Sequence, residues 1–161
     1  MVANRRGRVT GEQLARDLAR DEDLHTIIAT DTAEAVRLLD ATARKISEKL
    51  YRDITTSQIR NIFGAVRMIE QDTKGLDNSD PLPVPVQRSL MMLRPKLAYQ
   101  YGRVGGRDDA PNKVAMGAMT TILTNAITIV LDQGSQIAFR NFVDFFEAIL
   151  AYHRYYGGRT N

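Results

Sequence analysis

Residues Thr32 to Tyr51 read TAEAVRLLDATARKISEKLY, and this stretch decides the fold class. Val36, Leu39, Ala43, Ile46 and Leu50 recur at three- and four-residue intervals, the period that gathers side chains on one face of an α-helix. Asp31 or Thr32 supplies a side-chain oxygen where the first turn needs a hydrogen-bond acceptor. The two-residue alternation of a half-buried strand is absent here, and no run of it bounded by turn residues occurs elsewhere in the chain.

The same pattern extends in both directions. Upstream, Thr10 with Gln13 three residues later is a capping-box pair, and Leu14, Leu18 and Ile28 continue one early amphipathic helix. Downstream, a helix starts at Thr55 or Thr56 and carries Ile59, Ile62, Phe63, Val66 and Ile69 on one stripe. It ends before TKGLDNSDPLPVP (73–85), the one obvious linker. VQRSLMMLRPKLAYQYGR (86–103) is helical in pattern, but Pro95 lacks a backbone donor and biases Arg94 away from helical geometry, so a kink or a break is expected there. The last helix runs from Ser135 to about Tyr156, with Phe142, Phe145, Phe146, Ile149 and Leu150 as a broad apolar face. Gly157 and Gly158 then stop it. The expected fold is all-α, a compact bundle of about five to six helices. One domain spans 10–158, between a flexible basic tail at 1–9 and a short tail at 159–161.

VAMGAMTTILTNAITIVL (114–131) has no charge and is only just long enough to span a membrane. Its four threonines, Asn125 and Gly117 make a poor lipid-facing surface, so it is expected to be a buried central helix, and no membrane partner is expected. The chain has 161 residues and no cysteine, which rules out disulfides and thiolate metal sites and suits a reducing compartment. No apolar stretch follows the basic start MVANRRGR, so no secretory signal is read there. A cytoplasmic location is expected.

The net charge of +3 is accounted for by Arg5, Arg6 and Arg8, leaving the body neutral on balance. A nucleic-acid surface therefore requires local clustering, and two windows supply it. From Pro81 to Arg107 there is no carboxylate, while Arg88, Arg94, Lys96, Arg103 and Arg107 are basic. Ile54 to Ile69 is also acid-free and carries Arg60 and Arg67, which fall together on the flank of their helix. The glycine-rich loop GRVGGRDDAPN (102–112) lets the backbone approach a phosphate, but without a preceding strand it matches no phosphate-cradling fingerprint.

A search for catalytic chemistry finds little. His25 and His153 are far apart, and neither has a histidine four residues away, as a helical metal site would need. His153 falls on the aromatic face of the last helix and reads as a core residue with one hydrogen-bond partner. Asp144 with Glu147, and Asp17 with Asp21 and Glu22, read as solvated faces. The tyrosines of AYHRYYGG (151–158) can stack bases, or pack and form a subunit contact. No catalytic residue, metal or cofactor is expected.

TTSQIRNIFGAVRMIE (55–70), LMMLRPKLAYQYGR (90–103) and FVDFFEAILAYHRYYGG (142–158), in this order, resemble the small helical subunit of the type III-A CRISPR effector complex. The resemblance covers Leu50 to Gly158, and no signature is matched before Tyr51. It implies a helical bundle present in several copies, stacked in a row beside a backbone of RNA-cleaving subunits and helping to hold guide RNA and its paired target RNA. The implied partners are these RNAs, the backbone subunit, the large subunit and other copies of the chain. The resemblance also implies that the small subunit does no chemistry. The backbone subunit cleaves target RNA, and the large subunit carries the nuclease and cyclic-oligoadenylate activities. By position, the implied RNA-binding residues are Arg60, Arg67, Arg94, Lys96 and Arg103. Arg107 joins them from the acid-free window. Their implied work is to neutralise phosphates, while base pairing supplies specificity. The body is neutral, and several copies in a row would add their contacts. A protein-only helical adaptor, docking through its tyrosine- and phenylalanine-rich end, is the alternative.

Overall fold

Thr10, Thr32, Thr55 and Ser135 each accept a hydrogen bond from the backbone amide three residues ahead, so four helices begin at hydroxyl caps. At Thr10 and Thr55 a glutamine side chain answers back to the cap amide and completes a capping box. The computed structural model describes residues 9–160. Arg5, Arg6 and Arg8, expected in a basic tail, lie outside the described residues. Within them the chain forms α1 (Gly11–Leu18), α2 (Asp21–Ala29), α3 (Ala33–Leu50), α4 (Thr56–Gln71), α5 (Val84–Arg103), α6 (Pro111–Gln133) and α7 (Gln136–Tyr155). The described residues hold no strand, only an isolated bridge between Pro81 and Ser135.

The class is all-α as expected, but the described residues form seven helices rather than five or six. The extra one arises because the early helix splits at Ala19 and Arg20, both in extended geometry. The run Asp21, Glu22, Asp23 fills the first turn of α2, where carboxylates favour the positive end of a helix dipole, and Arg20 pairs with Asp23 at 3.2 Å. A second difference concerns Pro95. Of the kink or break expected there, the break does not occur: Pro95 lies inside a continuous α5 and faces solvent, where water can satisfy the Met91 carbonyl that Pro95 leaves without a donor.

Two helices form the centre. α6 packs on α1, α2, α5 and α7, while α7 packs on α2, α3, α4 and α6, and α4 against α5 closes the ring. The phenylalanines of α7 are fully buried, with the Phe146 ring tilted against Phe63 of α4 at a centroid distance of 5.1 Å. α6 is long and apolar enough to cross a membrane, yet 56% of its most apolar window is buried inside the protein. Its surroundings are those of a core helix. Gly134 ends it at φ 64°, the left-handed geometry that glycine adopts without strain.

The 73–85 connection is tied down. Leu82 N–H donates to Gly134 O at 2.8 Å, Gln136 N–H to Asp80 O at 2.9 Å, and Ile137 N–H to Asn78 O at 3.1 Å. Arg140 of α7 donates to Leu76 O at 2.9 Å and also to Asn78. The turn between α6 and α7 and the loop leading into α5 therefore form one corner, which fixes α5 against the core. At the other end of α5, buried Lys113 donates to the carbonyls of Tyr101 (2.8 Å) and Val104 (3.2 Å), placing a cation on a helix C-terminus.

Candidate nucleic-acid interface

α4 and α5 lie side by side, and their outer faces carry most of the basic residues singled out in the sequence. Ile59, Ile62, Phe63, Val66 and Ile69 turn inward, which leaves Arg60, Asn61, Gly64, Arg67 and Met68 exposed. On α5 the inward residues are Val86, Leu90, Leu93 and Leu97, so Arg88, Met92, Lys96, Tyr99 and Arg103 share the outer face at three- and four-residue steps.

The six expected contact residues fall into three groups. Arg60 and Lys96 are exposed and make no ion pair or side-chain hydrogen bond among the described residues. Arg103 lies over the Tyr99 ring, 5.7 Å from its centroid, and has no carboxylate partner among the described residues. Arg88 is exposed and equally unpaired among the described residues.

Arg67 and Arg107 are exposed but have acidic partners. Arg67 donates to Glu70 at 2.8 Å and to Glu147 at 3.3 Å while lying over Phe63. The Glu70 hydrogen bond raises its pKa further above the ordinary arginine range. Arg107 lies 3.5 Å from Asp109.

Arg94 stands apart from the other five. It is half-buried, donates to Thr128 on α6 and to Met91 Sδ at 3.2 Å, and so joins α5 to α6.

A groove of about 280 Å³ runs between the two helices beside these cations. Asn61, Lys96, Tyr99 and Gln100 provide its polar and aromatic lining, and no carboxylate lines it. Sequence reasoning did not find this groove. The signal was the Arg88, Met92, Lys96, Tyr99, Arg103 spacing, which shows only if α5 is read through Pro95. It also did not find Arg44 and Arg52, which lie 5.0 and 5.3 Å over the rings of Tyr152 and Tyr51. That end of the molecule is a cluster in which Tyr51 stacks on Tyr156 and Tyr155 is 77% exposed.

The groups considered for catalysis are placed as follows. His153 is buried; its Nε2–H donates to Ile54 O at 2.6 Å, and Nδ1 faces Thr56 Oγ1 at 3.4 Å. Burial lowers its pKa from the ordinary 6.5, against the opposing effect of the Ile54 hydrogen bond. It is the core histidine expected, with two partners rather than one. His25 is exposed on α2. Asp144 and Glu147 are exposed on α7. Partial burial and then the charge of Glu147 and Glu70 raise the Asp144 pKa, and Arg140 and Arg67 counter this. Among the described residues no group of three or more His, Asp or Glu side chains is arranged to hold a metal ion.

No curated protein matches the chain. A family model does, over residues 33–159, and the match takes in all of α3, for which the sequence reading had no counterpart, together with α4 to α7. With that span matched, the chain belongs to the Csm2 Type III-A family, the small subunit of the type III-A CRISPR effector complex.

Proposed function

We propose that this chain is a non-catalytic, RNA-binding structural subunit of the type III-A effector complex, located in the cytoplasm. It lines the guide RNA and target RNA duplex and contacts phosphates, beside the backbone RNA-cleaving subunit, the large subunit and further copies of itself. One observation carries this reading: Arg60, Arg88, Lys96 and Arg103 stand exposed on the adjoining faces of α4 and α5 with no carboxylate partner among the described residues. Cations held this way neutralise phosphates and release counterions whatever the sequence, so each contact contributes to the salt dependence of binding.

The test is a salt titration of RNA binding. The triple variant Arg60→Ala, Lys96→Ala, Arg103→Ala is expected to bind single-stranded RNA more weakly. The slope of log affinity against log salt should fall by about 0.7 per lost contact, or about 2 in all. Arg67→Ala is expected to change the slope little, because Glu70 and Glu147 already offset its charge. A triple variant with unchanged affinity and slope would remove this face as the RNA surface.

The tyrosine cluster, half-buried at Tyr51, Tyr152 and Tyr156 and exposed at Tyr155, favours a second reading, a protein-docking end. In that case Tyr152→Ala with Tyr155→Ala breaks assembly with the partner subunits while RNA affinity is retained.

A further inference from the structure

We infer that the groove between α4 and α5 is a pocket for a single unpaired nucleobase, with Tyr99 as its stacking platform. This rests on the RNA-binding reading above and adds to it, since phosphate neutralisation requires no pocket.

Shape is the first argument. At about 280 Å³ the groove lies below the range of roughly 300–1,000 Å³ that accommodates drug-sized ligands, which suits one ring system. Its floor is apolar, with Ile62 and Leu93 almost fully buried, and Met92 and Pro95 form an exposed wall. Flat apolar surface with a polarizable thioether matches the face of a base.

The rim provides the second argument. Tyr99 is 64% exposed, with Arg103 over one face of its ring and the other face open. A base on the open face would complete a stack of guanidinium, phenol ring and base. Asn61 and Gln100 line the groove, and neither side chain has a hydrogen-bond partner among the described residues. An amide offers both donors and an acceptor, so it can meet the edge of any base.

Charge provides the third. Lys96 lines the groove itself, Arg60 adjoins Asn61 on α4, and no acidic side chain lies in the lining. An unpaired nucleotide brings the matching set: a flat apolar face, a hydrogen-bonding edge and a phosphate on either side. Bases inside an A-form duplex are out of reach of such a pocket, so the occupant is unpaired.

The experiment compares an oligouridylate with an abasic oligoribose-phosphate of the same length, each titrated against the full chain at low salt. Phosphate contacts, including any made by Arg5, Arg6 and Arg8, are common to both probes and cancel. The intact strand is expected to bind about tenfold more tightly. Tyr99→Ala should abolish that preference, Tyr99→Phe should keep it, and Ala65→Leu, which narrows the groove, should reduce it. Equal binding of the two probes by the native chain, or a preference that survives Tyr99→Ala, overturns the pocket and leaves the phosphate surface standing. Failure of the native chain to bind either probe overturns both. Loss of self-association in Tyr99→Ala with RNA binding unchanged would instead make the groove a protein contact and overturn the inference.

Discussion

His153 and Gly158 show how closely one buried residue can set its surroundings. The imidazole is held between Ile54 and Thr56, and Gly158 lies against its ring so closely that an added Cβ would be 2.0 Å from Cε1 and 2.2 Å from Nδ1. Hydrogen bonds fix the ring on both sides, so it cannot swing away. Gly158→Ala is therefore expected to destabilise the protein by about 1–3 kcal/mol. At about 2–4 °C per kcal/mol for a chain of this size, a lowered thermal midpoint would register it. The depressed pKa has its own consequence. The unfolded chain takes up the proton more readily than the native one, so the contribution of neutral His153 is complete above pH 6.5 and is lost as pH falls below it. The thermal midpoint, followed by far-UV circular dichroism, should decline below about pH 6.5. The decline should be shallower in His153→Gln, which removes the titrating group.

Among the elements, α5 carries the most consequence. Its first part is fixed by the corner at Gly134 and its end by Lys113, so the helix continues through Pro95 although one hydrogen bond is missing. An interior proline costs about 3 kcal/mol relative to alanine in an exposed helix. Pro95→Ala is expected to recover part of this, about 1–2 kcal/mol after the greater freedom of the unfolded chain is counted. A shift of the urea midpoint with an unchanged slope would measure it. The helix types and most inward stripes were legible in the sequence, because Ile59, Ile62, Phe63, Val66 and Ile69 obey one period and all are buried. Three points were not. Val36 fits the period of α3 but is 63% exposed, since Ala35 takes the inward place in that first turn. The break at Ala19 depends on a helix dipole meeting three carboxylates, a signal that apolar spacing does not carry. Proline preference predicts a break where the fixed ends of a helix override it. The site was half legible for a related reason: sequence places arginines on a face, but only tertiary structure brings Glu147 to Arg67 and Thr128 to Arg94.

The molecule as a whole is asymmetric in charge. Acids outnumber bases from Gly11 to Leu50, and bases outnumber acids from Ile54 to Arg107. The small net charge hides this opposition. RNA binding by one copy should therefore be weak and strongly salt-dependent. With three phosphate contacts to single-stranded RNA, a fourfold rise in salt is expected to cut affinity about twentyfold, and tethering two copies should raise affinity without changing the contacts of either. A filter-binding series on the native chain and a tandem fusion would check both.

The methionines are divided unevenly by depth. Met116 and Met119 are sealed in the core at 1% exposure, whereas Met68, Met91 and Met92 lie open on the α4 and α5 faces at 71%, 46% and 52%. Peroxide reaches exposed thioethers first and turns a flexible apolar side chain into a polar sulfoxide. Oxidative ageing should therefore damage the α4–α5 surface while the bundle stays folded. Preparations that look identical by circular dichroism would then differ in RNA affinity in proportion to the oxygen atoms counted by intact mass, and methionine sulfoxide reductase would restore them.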